Sequence, residues 1–249
     1  MDLLVATNLT KRFGGLIAVN SVDLVVKENS FTLLIGPNGS GKTTFLNVCT
    51  GVLKPDGGSV YFEGKDITGL PPNKIYDFGL IRTFQIPIPF LSLTILDNVI
   101  AAMRNPGEYP FTALLKRKEW VKVEEENMEK AFSVLKRVGL DKMWEKPAYS
   151  LGGAQLKMLE VARALAAGAK LIALDEPIGG VDPIYADEIL SYLKELQKSG
   201  ITFLVIEHRI DIIAPYADYA YAMNRGNIIS KGTPDEVLND PQVVEVYIG

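Results

Sequence analysis

Two adjacent carboxylates, one lysine and one imidazole could do chemistry together in this chain. Gly36, Pro37, Asn38, Gly39, Ser40, Gly41, Lys42, Thr43 and Thr44 fit the pattern G-x-x-x-x-G-K-[ST]. Glycines in that pattern let backbone N–H groups converge on phosphate oxygens, and a following helix adds its partial positive charge. Lys42 is expected to reach the β- and γ-phosphates of a nucleoside triphosphate, and the Thr43 hydroxyl to hold Mg2+. Leu171-Ile-Ala-Leu-Asp175-Glu176-Pro177 is an apolar run that ends in two acids. Asp175 is expected to coordinate Mg2+, directly or through water, and Glu176 to polarise a water for in-line attack. His208, the only histidine, follows the apolar run 203–206 and Glu207. An imidazole there can hydrogen-bond the terminal phosphate or the attacking water. Gln85, after Ile81-Arg-Thr-Phe84, brings an amide that could touch Mg2+ or water.

Particular elements must hold these groups. Phe31-Thr-Leu-Leu-Ile35 reads as a buried strand ahead of the glycine loop, and residues 45–50 continue a helix that ends at Gly51. Short strands are expected over 3–9, 22–26 and 59–62, with Lys54-Pro-Asp-Gly-Gly58 as a turn, so an antiparallel patch accompanies a parallel sheet. From about Pro87 strand signals fade. Met128, Phe132, Leu135 and Val138 follow helical spacing up to Gly139, which predicts an inserted helical segment. The run Lys116-Arg-Lys118 and the cluster Glu124-Glu-Glu126 read as solvated helix faces. Beyond Gln155 the expected order is helix to about 167, strand 171–174, helix 186–198 and strand 202–206. That is the rhythm of a parallel sheet, and it puts the end of the His208 strand beside the acidic pair. Thr233-Pro-Asp-Glu236 has the form of a capping box with proline at the first helical position.

Composition narrows the function class. The chain has 249 residues, of which 47% are hydrophobic, enough for a sizeable core. With 26 Lys and Arg against 30 Asp and Glu the net charge is −4, which offers no basic field to nucleic acid. The single Cys49 cannot form an internal disulfide, which suits a reducing compartment. No apolar run reaches the roughly 18 residues of a membrane span, and none near the N-terminus suits a secretory signal. A cytosolic protein is expected, with any membrane role supplied by a partner.

Taken in chain order, these parts resemble the ATP-binding cassette family, and the resemblance covers essentially the whole chain. It implies an α/β fold: a P-loop NTPase core with a mixed sheet, an antiparallel β subdomain and an inserted helical subdomain. Residues 1–249 form one ATPase domain on this reading, with the core at about 1–86 and 156–249 and the helical subdomain at about 87–155. Residue by residue, Phe13 resembles the aromatic that stacks on adenine, with Val19 beside it. Residues 36–44 resemble the phosphate loop, Gln85 the Q-loop residue, residues 171–176 the acidic strand, Asp182 the D-loop aspartate and His208 the switch histidine. Leu151, Gly152, Gly153, Ala154 and Gln155 align with the family signature Leu-Ser-Gly-Gly-Gln. Gly152 stands where a serine hydroxyl usually approaches the γ-phosphate of the opposite subunit, and Ala154 replaces a glycine. A lost transition-state donor costs roughly 3 kcal/mol, so slow turnover is expected at the site this signature serves.

Within the family, Arg82-Thr-Phe-Gln85, the single cassette and the terminal Tyr247-Ile-Gly249 resemble ATPases of branched-chain amino acid uptake transporters. The resemblance implies ATP and Mg2+ as cofactors and a second cassette as partner, identical or different. It also implies a transmembrane permease and a cytoplasmic location against the inner face of the membrane. Urea transporters and a lipopolysaccharide-exporting ATPase share much of this pattern, so solute and direction stay open. Two other classes fit less well. DNA-repair cassettes carry coiled-coil insertions and ribosomal ones usually join two cassettes, neither of which is seen here. In a GTPase reading, Asn73-Lys-Ile-Tyr-Asp77 is one residue out of register with the guanine motif.

Overall fold

The computed structural model describes residues 1–84, 86–103 and 117–248. Gln85, Lys116 and Gly249 lie outside the described residues. The chain forms two compact units, one of residues 1–85 with 170–249, the other of residues 86–169.

In the first unit, β3 (Phe31–Ile35), β7 (Leu171–Asp175) and β8 (Thr202–Ile206) are buried at every position. Continuous apolar strands of this kind belong in the middle of a parallel sheet covered on both faces. They lie in a six-stranded sheet of order β10-β9-β3-β8-β7-β6, where β6 is Leu80–Arg82, β9 Tyr219–Asn224 and β10 Asn227–Gly232. All neighbours are parallel except the β9–β10 edge hairpin, so the sheet is mixed. The second sheet, order β2-β1-β4-β5, is antiparallel and built from β1 (Asp2–Phe13), β2 (Leu16–Lys27), β4 (Gly57–Phe62) and β5 (Lys65–Asp66). Strands β1 and β2 run well beyond the short segments that apolar alternation suggests, because backbone pairing continues past the buried residues. One core cluster joins the two sheets through Leu4, Leu24, Phe62, Phe45, Leu34 and Leu204.

Helix α1 (Lys42–Cys49) follows the glycine loop, with Gly51 in left-handed backbone after its end. Cys49 is fully buried in the core, and burial pushes its thiol pKa up, so its role is packing. Helix α2 (Pro72–Phe78) takes up the segment 73–77.

The second unit is helical, as the loss of strand signals anticipates. It holds α3 (Ile95–Ile100), α4 (Arg117–Arg137) and α5 (Gly153–Ala166), and each packs on the other two. The buried stripe of α4 runs through Asn127, Ala131, Val134 and Leu135, while Met128 is exposed. The inward face is therefore turned about one position from the spacing in the sequence, because Asn127 is taken inside with the apolar residues. The helix after the signature groups with this unit, whereas the sequence reading puts it in the core.

In the first unit, α6 (Pro183–Lys198), the short turn α7 (Ile210–Ile213), α8 (Pro234–Leu238) and α9 (Pro241–Ile248) complete the described helices. The capping box forms at α8: the Glu236 carboxylate accepts from Thr233 N–H at 2.8 Å and the Thr233 hydroxyl from Glu236 N–H at 3.4 Å.

Candidate functional site

Strand order decides what meets. β8 lies between β3 and β7, with Leu34 opposite Ile206 and Asp175 opposite Ile206. The phosphate loop after β3, Glu176 after β7 and His208 after β8 therefore leave the sheet side by side at its C-terminal edge. That edge is where open α/β sheets take ligands.

The phosphate loop is tightly packed. A Cβ on Gly36 would lie 2.2 Å from the Met223 carbonyl oxygen, and one on Gly41 2.2 Å from that of Ala18. Gly41, at φ 109, also caps α1 in left-handed backbone that side-chain-bearing residues rarely adopt. Gly226 N–H donates to the Ser40 carbonyl at 2.8 Å and anchors the loop to the β9–β10 turn. Within it, Lys42 Nζ donates to Gly36 O at 2.7 Å and Pro37 O at 3.0 Å. Burial pushes the Lys42 ammonium pKa below its usual range, while the Glu176 and Asp175 carboxylates push it back up. The lysine is thus close enough to both acids to feel their charge.

Glu176 has φ 52, a left-handed conformation unusual for a non-glycine residue, and its N–H bonds Ile206 O at 2.9 Å. Strained backbone of this kind persists where surrounding bonds over-determine it. His208 Nδ1 lies 3.6 Å from Glu176 Oε1 and 3.7 Å from Glu207 Oε2, and the imidazole is half exposed. Asp175 is buried and ion-paired: its Oδ2 accepts from Arg82 Nη2 at 2.7 Å, and Arg82 also bonds the Asn47 amide oxygen. Arg82 is a site residue that the sequence reading cites only for resemblance. Its signal was present, since an arginine ending a buried strand must find a partner.

Oxygen donors are what a cation would find. Among the described residues no group of three His, Cys, Asp or Glu side chains is arranged to hold a metal ion by itself. Thr43 is exposed, and Asp175 engages Arg82 through Oδ2, leaving Oδ1 to offer. One hydroxyl, one carboxylate and phosphate oxygens form a hard, all-oxygen set that fits Mg2+, which keeps several waters.

Other predicted residues take definite places. Phe13 is 48% exposed at the tip of the β1–β2 hairpin, a ring face open to stacking. Val19 is wholly buried in the core cluster and presents no surface to a nucleotide, which corrects its place beside the adenine. Asp182 caps α6, its carboxylate accepting from Ile184 N–H at 3.0 Å. In the second unit, Gly152 is the N-cap of α5 in extended backbone, and its N–H donates to Gln155 Oε1 at 3.0 Å. Gly153 and Ala154 form the first turn of α5, and Leu151 is buried ahead of it. One further contact went unread. Tyr247 on α9 is 39% exposed, and partial burial of its hydroxyl pushes the pKa up to about 12 against the opposing pull of the nearby Gly36 N–H. The C-terminal helix thus reaches the first glycine of the phosphate loop.

Comparison with known proteins bears on the family. A family profile described as "ABC transporter" matches residues 19–179, and one described as "Branched-chain amino acid ATP-binding cassette transporter" matches residues 227–249. A protein of Archaeoglobus fulgidus described as "Probable branched-chain amino acid transport ATP-binding protein LivG" is 48% identical, covering 100% of this chain and 96% of its own. A Methanocaldococcus jannaschii protein of the same description is 46% identical over 100% and 98%. A solved structure of the ADP conformation of an ABC transporter cassette superposes with TM-score 0.88 at 45% identity, covering 100% and 99%. The chain belongs to the ABC transporter family, as one of its ATP-binding, ATP-hydrolysing cassettes.

Proposed function

We propose that this cassette powers uptake of branched-chain amino acids or a closely related small solute through a membrane permease. One observation supports the chemical half: the strand order β3-β8-β7 brings the phosphate loop, His208 and Glu176 to one sheet edge, where His208 Nδ1 lies 3.6 Å from Glu176 Oε1. In this reading Phe13 stacks on adenine, and residues 36–44 cradle the phosphates. Thr43, Asp175 and Gln85 would hold Mg2+, which would supply charge neutralisation for the triphosphate. Glu176 takes the proton of the attacking water as its oxygen bonds the γ-phosphorus and the bridge to ADP breaks. His208 donates to the γ-phosphate or orients the water. Catalysis is then positioning plus electrostatics, as phosphoryl transfer requires.

The transport half draws on the relatives' described role and on an apolar surface. In the second unit Ile86 and Ile88 are 74% and 72% exposed, next to the exposed Phe90 and Leu91. Their backbone is pinned: Asn98 Oδ1 accepts from Phe90 N–H at 2.8 Å, Asn98 Nδ2 donates to Phe90 O at 3.0 Å, and Arg163 donates to Ile88 O at 3.2 Å. A held segment with outward apolar side chains suits a docking surface, and the permease is its proposed occupant. No helix among the described residues is long and apolar enough to cross a membrane, so the permease would bring the cassette to the inner face. The signature loop 151–155 would complete the ATP site of a second cassette, identical or different, with Asp182 at the dimer face.

The test is reconstitution of this chain with a branched-chain amino acid permease and binding protein. Leucine-stimulated ATP hydrolysis that Glu176→Gln abolishes would support the proposal. Hydrolysis indifferent to any branched-chain solute would remove the solute assignment.

A further inference from the structure

The residues on either side of His208 are unusual, and the hydrolysis scheme above gives neither a task. Glu207 is fully buried, and among the described residues its carboxylate meets only backbone N–H donors at hydrogen-bond distance. Oε1 accepts from Ile178 N–H at 3.0 Å, and Oε2 from His208 N–H at 2.9 Å and Arg209 N–H at 3.2 Å. Arg209 points the other way along the same segment. Its Nη1 donates to Val181 O at 2.8 Å and Ile178 O at 3.3 Å. Ile178 is therefore held at both its peptide groups by the two neighbours of the histidine. The turn between is closed by Gly179 N–H to Glu176 O at 3.1 Å and Val181 N–H to Ile178 O at 3.2 Å.

This grip has a consequence for the site. The segment 176–182 begins with the strained Glu176 and ends with the α6 cap Asp182, and it meets the histidine turn through these side chains as well as through the strand pairing and the 3.6 Å approach of His208 Nδ1 to Glu176 Oε1. We propose that Glu207 and Arg209 are positioning residues that clamp the 176–182 segment to the His208 turn, so that Glu176 and His208 hold one geometry and move as one body. The proposal rests on Glu176 and His208 acting in ATP hydrolysis. A buried carboxylate is a costly way to join two loops unless its bonds are all made. Here a single acceptor group satisfies three N–H donors from two loops, which no amide or hydroxyl side chain can do.

Chemistry makes the substitution test specific. Glu207→Gln keeps the shape but offers one acceptor oxygen, so its NH2 faces at least one N–H donor. Arg209→Ala removes the carbonyl grip at a partly exposed position, where folding is expected to survive. Displacements of about 1 Å at a reacting group cost up to about 100-fold in rate. Arg209→Ala should therefore lower kcat about tenfold and Glu207→Gln more, with ATP affinity within about twofold of wild type. In a His208→Ala background, adding Arg209→Ala should cost far less than it does alone, because both changes act on one unit.

The closing experiment pairs those kinetics with hydrogen exchange on the full chain. Arg209→Ala should raise amide exchange in 176–182 and in 207–209 together, and leave β3 and α1 unchanged. Exchange that rises in 176–182 alone, or additive losses with His208→Ala, would overturn the clamp. If wild type fails to hydrolyse ATP, or Glu176→Gln hydrolyses it normally, the underlying ATPase scheme fails instead, and the exchange result still judges the clamp.

Discussion

The phosphate loop and the signature loop both present backbone N–H groups at the start of a helix, yet they are built to opposite tolerances. In the phosphate loop, Gly36 and Gly41 each stand where an added Cβ would strike a backbone oxygen at 2.2 Å. In the signature loop, a Cβ on Gly153 would meet nothing within 4 Å, and one on Gly152 only Gln155 Oε1 at 3.9 Å. The first loop is closed against its own fold. The second is open to an outside surface, as a loop serving another subunit's nucleotide would be. Close packing makes glycine mandatory in the one and optional in the other.

Substitutions can break or sharpen this contrast. Gly41→Ala should have the largest effect. It combines a backbone clash with left-handed strain, which together cost on the order of 3 kcal/mol or more. A thermal melt at or near the wild-type temperature, with ATP binding retained, would show that the loop is not closed. Lys42→Ala comes next: the charge that meets the phosphates is gone, and ATP affinity by equilibrium titration should fall at least tenfold while the fold persists. Gly152→Ser should change stability by only a few tenths of a kcal/mol, since serine and glycine differ little as N-caps. In a dimer whose working site this loop completes, the variant should hold or raise turnover. A large loss of activity would mean that the hydroxyl-free loop is required.

The smallest expected effect lies at the adenine end. The Asp56 carboxylate accepts from Arg12 N–H at 2.6 Å and Lys11 Nζ at 3.2 Å, and these bonds hold its pKa below the usual carboxylate range. They fasten the end of β1 that carries Phe13. A depressed folded pKa stabilises above the unfolded value, and that contribution disappears as pH falls through the folded one. ATP affinity should therefore be flat near neutrality and weaken slightly only in acid, and Asp56→Asn should show the weakened value at pH 7. An identical affinity for the variant would detach Asp56 from the adenine end.

The same contrast explains what could be read from the sequence. The glycine loop, the acidic strand and the His208 strand were legible because each is a local pattern: a five-residue apolar run with its chemistry at one end. Their juxtaposition followed from the parallel-sheet rule alone. Val19 was placed by resemblance alone, and β2 is irregular at that point. Leu9 pairs with Val22 but Lys11 with Val19, so β2 takes an extra residue near Ser21, itself at φ 50. That bulge turns Val19 to the same buried face as Val22, Leu24 and Val26, against strict alternation. The Arg82–Asp175 pair joins residues 93 apart, and Tyr247 meets Gly36 from the far end of the chain. The β9–β10 hairpin drew no reading either, because its paired residues mix Asn, Ser, Lys and Gly with apolar positions. The partners in the two long-range contacts are set by tertiary packing, and no local spacing names them.

The central claim is that Glu176 acts as the base on the water that attacks a phosphate held by Lys42, and one measurement addresses it directly. ATP binding and steady-state hydrolysis should be compared for wild type and Glu176→Gln at equal purity. General-base loss costs about 100- to 10,000-fold. The account predicts unchanged ATP affinity, turnover reduced by at least about 100-fold and accumulation of an ATP-bound dimer. Undiminished turnover by the glutamine variant would contradict it.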